Sequence, residues 1–150
     1  MTVYKHILIP TDGTKLAGKA IKTAVKLAAS LGARVTGVYV VPPVMPAAYS
    51  EAFMYMPATM PKRQQEAAKK EGRRALAEIE VACKVQDVAY GGTIMISDAP
   101  WEGILKAAKS KGCDLIVMSS HGRRGLSGLL LGSETTKVLT HSKIPVLVCR

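Results

Sequence analysis

The sequence has no long apolar run and few aromatic side chains. No apolar stretch approaches the ~20 residues that a membrane-spanning helix needs. The N-terminus shows neither the apolar region nor the cleavage site of a signal peptide. We therefore expect a cytoplasmic protein with no membrane contact. Aromatic residues make up 5% of the chain, with one Phe and one Trp, so base-stacking platforms like those of RNA-binding domains are not expected.

Cysteine pairs are also missing. The three cysteines, Cys83, Cys113 and Cys149, lie far apart, and no C-x-x-C pair occurs. An odd, scattered set argues against a disulfide framework. The three histidines add no metal-ligand spacing. We therefore interpret the cysteines as reduced, mostly buried small apolar residues and predict no metal site.

Positive charge is in excess, with a formal net charge of +10 and a pI near 9.7. This balance favours anionic partners such as nucleotides or nucleic acids. The densest basic run, Lys62 to Arg74, is interrupted by Glu66 and Glu71, which is more typical of a solvated helix face. We therefore do not expect nucleic-acid binding from this pattern; as a hypothesis, it predicts an affinity that falls steeply with salt.

Strand-like and helix-like segments alternate along the 150 residues. The predicted strands cover residues 4–9, 34–41, 88–96, 114–118 and 146–149, and the predicted helices cover residues 15–31, 62–86, 101–111 and 134–141. This alternation indicates one α/β domain, residues 1–150, with a mainly parallel sheet and helices on both faces. Such sheets bind ligands at the carboxyl ends of their strands. The pair Gly91-Gly92 in the third strand is typical of a bulge.

Two predicted helices begin at recognisable polar turns. Asp12 lies in the turn after the first strand, where it could cap the helix or contact a ligand. Residues 97–100, Ser-Asp-Ala-Pro, predict a helix start with a capping side chain ahead of an early proline. The segment 44–61 is rich in Met and Pro, and its prolines prevent a long helix. That segment fits a lid over a ligand and a packing element equally well.

A glycine-bearing loop, Ser119 to Ser133, lies between the fourth predicted strand and the last helix. Glycines let backbone N–H groups approach an anion, and the first turn of a helix has N–H groups without partners. The patterns G-x-x-x-x-G-K-[ST] and G-x-G-x-x-G are both absent. The loop is therefore predicted to hold phosphate, but not as in an ordinary P-loop NTPase or dehydrogenase.

Individual residues of this loop have more than one interpretation. Gly132 precedes the helix where a side chain would block a phosphate, and Ser133 could either cap the helix or donate its hydroxyl to phosphate. Arg123 and Arg124 could lie beside the anion or point into solvent. His121 is interpreted as a loop-orienting residue in preference to a phosphate contact.

The loop and its flanking strands resemble the universal stress protein family. Its nucleotide-binding branch carries G-x-x-G, nine residues, then G-[ST]; Gly122, residues 123–131 and Gly132-Ser133 match, while Ser119 occupies the first glycine position. The opening Ile7–Gly13, the strand Asp114–Met118 and the ending at residues 144–148 also match. The resemblance covers almost the whole chain.

This resemblance implies an open five-stranded parallel sheet of order 3-2-1-4-5, a Rossmann-like fold similar to the adenine nucleotide alpha hydrolases. It implies an ATP-binding stress-response or signalling module, with Mg accompanying the ATP, and a homodimer through Val146–Cys149. Pro10, Thr11 and Asp12 would lie near adenine and ribose, and Val40 would flank the base. The remaining implied contacts, on the ribose and phosphate side, are Met118, Ser119, Gly122, Arg123, Gly132, Ser133 and Glu134.

Other functions remain open at this point. The same fold could serve as a nucleotide-free dimeric interaction module. An enzyme is less expected, since no nucleophile beside a base and no lysine in the phosphate loop is found; at most we expect weak ATP hydrolysis. We expect Ser119 to weaken nucleotide binding or leave it unchanged, because a Cβ carries a cost only if that position needs a positive φ or very close backbone approach.

Overall fold

The computed structural model describes residues 3–44, 59–121 and 130–150. Five strands form one sheet in the order β3-β2-β1-β4-β5, and every neighbouring pair is parallel. This confirms the predicted α/β class and strand order. The strands are β1 (His6–Pro10), β2 (Arg34–Val41), β3 (Tyr90–Ile96), β4 (Leu115–Ser119) and β5 (Val146–Cys149), and the helices are α1 (Lys15–Leu31), α2 (Lys62–Val85), α3 (Pro100–Lys111) and α4 (Ser133–His141).

Alternate side chains of the strands divide between two apolar cores. Ile7 and Ile9 of β1 pack with the buried residues of α1 and α2 on one face of the sheet. Leu8 packs with α3 and α4 on the other face. All three side chains are fully buried, as expected for a parallel sheet with helices on both sides.

Strand β3 begins at Tyr90, two residues later than predicted. Its register with β2 runs one to one from Val35–Tyr90 to Val41–Ile96, so the predicted bulge at the glycine pair is wrong. Gly92 instead allows the Tyr90 side chain to pack closely against the strand. A Cβ at this position would lie 2.6 Å from the Tyr90 hydroxyl, which donates a 3.0 Å hydrogen bond to the Leu76 carbonyl.

The cysteines largely fit the predicted role. Cys83 and Cys113 are buried and Cys149 is half-buried, and all three are free thiols. Burial raises the pKa of Cys83 to about 11 and that of Cys113 to about 11. Both thiols are therefore protonated at neutral pH and unreactive.

Several expectations can be compared only with the residues that the structure describes. Most of the segment 44–61 lies outside them; at its two ends, Val44 pairs with Met60 in a short parallel bridge. Among the described residues, no helix is long and apolar enough to cross a membrane. The same residues contain no cluster of three or more His, Cys, Asp or Glu suited to a metal ion.

Candidate functional site

The predicted site lies where the carboxyl ends of β1 and β4 meet. These adjacent strands form the switch point of the sheet, because α1 leads from β1 to β2 on one side while α3 leads from β3 back to β4 on the other. Their paired register covers only Ile7–Leu115 and Leu8–Ile116, although β1 continues to Pro10 and β4 to Ser119. The strands therefore separate toward this edge, where doubly wound sheets bind ligands.

The turn after β1 is fixed by its own polar groups. Thr11 is buried; its N–H donates to the Val38 carbonyl at 3.0 Å, and its hydroxyl accepts from the Gly13 N–H at 3.1 Å. One Asp12 carboxylate oxygen accepts from the Thr14 N–H at 3.0 Å and from the Thr14 hydroxyl at 2.6 Å. Thr14, not Asp12, is the N-cap of α1, with the Ala17 N–H as its donor. Capping by Asp12 is thus wrong: Asp12 orients the capping residue.

Asp12 also lines a cavity of about 290 Å³ between the turn after β1 and α2. Tyr39 and Arg74 contribute to its wall. The cavity therefore places the turn after β1 next to side chains of α2.

Val40 and Met118 belong to the opposite layer. Met118 is buried among residues of α3 and α4, and half-buried Val40 packs against the same group. The implied base-flanking residue and the end of β4 therefore share a layer with the N-termini of α3 and α4.

The start of α4 has N–H groups that no other described residue accepts from. Gly132 is the N-cap of α4, but its N–H already donates to the Ser120 carbonyl at 2.8 Å. Ser133 and Glu134 follow in the first turn, and among the described residues their N–H groups have no partner. The Ser133 side chain is exposed and makes no capping hydrogen bond. Capping by Ser133 is therefore wrong, and its hydroxyl remains available to an anion.

Ser119 fits the strand without strain. Within the described residues, Asp87 is the sole non-glycine with a positive φ, so Ser119 occupies ordinary extended backbone at the end of β4. Its hydroxyl donates to the His121 carbonyl at 2.8 Å, and its carbonyl accepts from the Thr135 hydroxyl at 3.0 Å. The Thr135 bond joins the end of β4 to the first turn of α4.

His121 joins the two described ends of the glycine-bearing loop. Its Nε2 is hydrogen-bonded to the Leu130 carbonyl, and its Nδ1 lies 3.0 Å from the Ser120 hydroxyl. Since a carbonyl only accepts, Nε2 donates in the bond to Leu130, and Nδ1 is within hydrogen-bond distance of the Ser120 hydroxyl. Both nitrogens are thus used within the loop, which favours the loop-orienting interpretation. Gly122, Arg123 and Arg124 lie outside the described residues.

The Glu134 side chain is directed at α3. Its Oε2 accepts from the Trp101 N–H at 2.9 Å, and its Oε1 lies 3.7 Å from the Lys137 ammonium. The predicted capping side chain before Pro100 is absent, because the N-cap is Ala99 and makes no side-chain bond. Sequence reasoning missed Trp101 and Lys137; the i,i+3 spacing of Glu134 and Lys137 was the one available signal.

A doubly wound parallel sheet with free helix N–H groups at its switch point is the architecture of α/β nucleotide-binding domains. A model of the Universal stress protein family matches residues 3–150. The chain is 35% identical over 149 residues to universal stress protein MJ0531 of Methanocaldococcus jannaschii, covering 99% of this chain and 83% of that protein. It is 31% identical to universal stress protein YxiE of Bacillus subtilis over 149 residues, covering 99% and 100%. The chain belongs to the universal stress protein family.

Solved structures agree with the fold. UspA from Lactobacillus plantarum superposes with a TM-score of 0.75 at 25% identity, covering 98% of each chain. A universal stress protein in complex with cAMP gives a TM-score of 0.72 at 22% identity, covering 98% of this chain and 97% of that one. A family member from Arabidopsis thaliana with AMP bound gives 0.64 at 17% identity, covering 96% and 90%.

Proposed function

We propose that this chain binds an adenine nucleotide, ATP with Mg²⁺ included, at the carboxyl ends of β1 and β4, and acts as a nucleotide-dependent stress-response or signalling module. The observation that carries the proposal is the start of α4. There, the N–H groups of Ser133 and Glu134 and the Ser133 hydroxyl have no partner among the described residues. Together with the positive end of the helix dipole, these groups suit a phosphate.

The other parts of the nucleotide have complementary surroundings. Asp12 offers a carboxylate at the end of β1 that suits a ribose hydroxyl, and Val40 offers an apolar surface that suits a base. The net charge of +10 attracts polyanions to the whole molecule. Two relatives of the same fold hold cAMP and AMP, so the fold accommodates adenine nucleotides.

The test is ligand-induced stabilisation. A ligand at ~100 times its dissociation constant stabilises the folded state by about 2.7 kcal/mol, so the melting temperature should rise with Mg-ATP, AMP or cAMP. Gly132→Val should abolish the rise, because its side chain would fill the space before the first turn of α4. The backbone of Gly132, at φ −60°, accepts a valine. Gly18→Ala, at an open helical position, is the matched control and should keep the rise.

Two results would count against nucleotide binding. One is an unchanged melting temperature at millimolar nucleotide, and the other is a full response in Gly132→Val. Mass spectrometry of the purified protein should detect co-purified adenine nucleotide. Any hydrolysis should be weak, because the Ser120 hydroxyl, which lies 3.0 Å from His121 Nδ1 in the described part of the site, is buried; multiple turnovers well above the buffer rate would contradict that expectation.

We further propose a homodimer through β5. Among the described strands, β5 pairs only with β4 and so forms an edge of the sheet, and its Leu147 is 41% exposed. An unblunted apolar edge is suited to pairing with a second copy. If nucleotide binding fails, the same edge supports a nucleotide-free interaction module as the second candidate function.

A further inference from the structure

Trp101 contacts both ends of α4. Its backbone N–H donates to Glu134 in the first turn at 2.9 Å. Its indole stacks on the imidazole of His141, the last residue of α4, with ring centroids 4.4 Å apart and planes inclined by 28°. The first residues of α3 are thereby fixed against the whole length of α4.

The bond from Glu134 supplies a cap that α3 lacks locally. Ala99, the N-cap of α3, makes no side-chain hydrogen bond, and Pro100 has no N–H to donate. The Trp101 N–H is therefore the first donor of α3, and Glu134 satisfies it from a position 33 residues later in the chain. The carboxylate lies in the first turn of one helix and at the first N–H of another, and both helix dipoles stabilise its negative charge.

A nucleotide bound at this site would lie close to the negative charge of the Glu134 carboxylate. The backbone N–H of Glu134 belongs to the proposed phosphate cradle, and its carboxylate is one side chain away. Charges this close in the chain are screened only in part by salt, because the Debye length is about 8 Å at physiological ionic strength. The α3 terminus draws the carboxylate aside, and the Lys137 ammonium at 3.7 Å offsets part of the charge. The remaining repulsion must grow with the charge of the ligand.

We propose that Glu134 determines how the site discriminates among nucleotides by phosphate charge. Its bond to Trp101 positions the start of α4, and its carboxylate lowers the affinity for a triphosphate more than for a monophosphate. This inference rests on the proposed nucleotide function. Lys137 acts in the opposite direction, by offsetting the Glu134 charge.

The charge effect is tested with Glu134→Gln. The glutamine oxygen can still accept from the Trp101 N–H, but the negative charge is gone. In EDTA, where ATP keeps its full charge, the affinity should rise about threefold for AMP and about tenfold for ATP, because the Coulomb energy scales with ligand charge. Lys137→Gln should shift the ratio of ATP to AMP affinity the other way. Glu80→Gln, with the same change of net charge at an exposed position of α2, is the matched control.

Titration calorimetry of the three variants with AMP and ATP decides the matter. An ATP-to-AMP ratio that is unchanged in Glu134→Gln, or that changes equally in Glu80→Gln, would overturn the proposal while leaving nucleotide binding intact. A wild-type protein that binds neither nucleotide, in EDTA or with Mg²⁺, would instead overturn the proposed function, and this proposal with it.

The positioning role is tested without nucleotide. Glu134→Ala removes the acceptor of the Trp101 N–H, so hydrogen exchange at the Trp101 amide should accelerate at least tenfold, whereas Glu134→Gln should retain most of the protection. Equal Trp101 protection in wild type and Glu134→Ala would show that the cap is not formed and would overturn the positioning claim.

Discussion

Gly103 of α3 packs directly against Val40 of β2. A Cβ built on Gly103 would lie 2.7 Å from Val40 Cγ1 and 2.8 Å from Val40 Cγ2. Only glycine allows α3 to approach the sheet this closely. Because Val40 is the proposed contact of the base, the position of α3 also determines the shape of the nucleotide site.

Gly103→Ala should therefore destabilise the protein by about 1–3 kcal/mol, the usual cost of overpacking a core. Gly18→Ala should do the opposite and stabilise it by up to about 1 kcal/mol, since a Cβ at this helical position of α1 has no neighbour within 4 Å. Urea denaturation measures both. The same sign of change in the two variants would contradict the close-packing argument.

His6 should make the free energy of unfolding depend on pH. Its Nε2 lies 2.7 Å from the Thr36 hydroxyl in the buried sheet. Burial lowers the pKa of His6 below its ordinary 6.5, with Arg34 acting in the same direction and Asp114 and the Lys111 backbone opposing it. As pH falls through 6.5, the unfolded chain binds this proton before the folded chain does. The contribution of His6 is therefore complete above that pH and is progressively lost below it.

The comparison is between wild type and His6→Gln, unfolded by urea at several pH values from 8 to 5. The wild type should lose more stability than the variant across this range, because glutamine does not titrate. Parallel curves for the two proteins would show that His6 binds its proton equally well in both states.

The dimer edge can be tested with one proline. Carbonyls of Pro145 and Cys149 accept from N–H groups on the β4 side. Backbone direction alternates along a strand, so the Val148 N–H faces away from the sheet. Val148→Pro should remove a donor from the outer edge and keep the ladder to β4. Light scattering should give the molar mass of a monomer for the Val148→Pro variant and that of a dimer for the wild type.

A matched control substitution can be made at the opposite edge of the sheet. The Ser97 N–H donates to the Val41 carbonyl, so by the same alternation the N–H of exposed Ile96 faces outward from β3. Ile96→Pro should leave the mass of the dimer unchanged. A dimer that survives Val148→Pro, or one lost equally in Ile96→Pro, would exclude pairing through β5.

Ser119→Gly restores the family's first glycine, yet we expect little gain in nucleotide affinity, about twofold at most. The reason is that Ser119 has no positive φ for a glycine to relieve. Stability should fall by about 0.5–1 kcal/mol, because glycine in a strand loses more conformational entropy on folding. Calorimetry measures the affinity, and urea denaturation measures the stability. A tenfold gain in affinity would mean that the serine side chain obstructs the ligand.

The sheet was predictable because its signals are local. Apolar runs such as Ile7–Ile9 and the alternating helical segments specify parallel strands, and the resemblance supplied their order. Contacts that depend on tertiary structure were not predictable. Nothing near Trp101 in the sequence reveals that Glu134 caps it, and the bulge expected at Gly92 does not form, because the glycine makes room for the Tyr90 ring.

In the candidate site, too, local positions were predictable and tertiary contacts were not. The positions of Asp12 and Ser133 at a strand end and a helix start followed from the pattern, but their bonding partners did not. Asp12 and Thr14 are both ordinary capping residues, and only the three-dimensional turn determines that Thr14 caps α1 while Asp12 holds it. Likewise Gly132 takes the N-cap position of α4 and leaves Ser133 in its first turn.

Trp101 is the single tryptophan of the chain, and it rests on His141 at one end of α4 while bonded to Glu134 at the other. Its fluorescence therefore originates from one place, beside the helix that would receive the phosphate. A shift of α4 should alter the emission of the indole, and the unmodified protein thus contains its own optical reporter. Ligand libraries can be screened against it without a dye, a tag or an engineered probe.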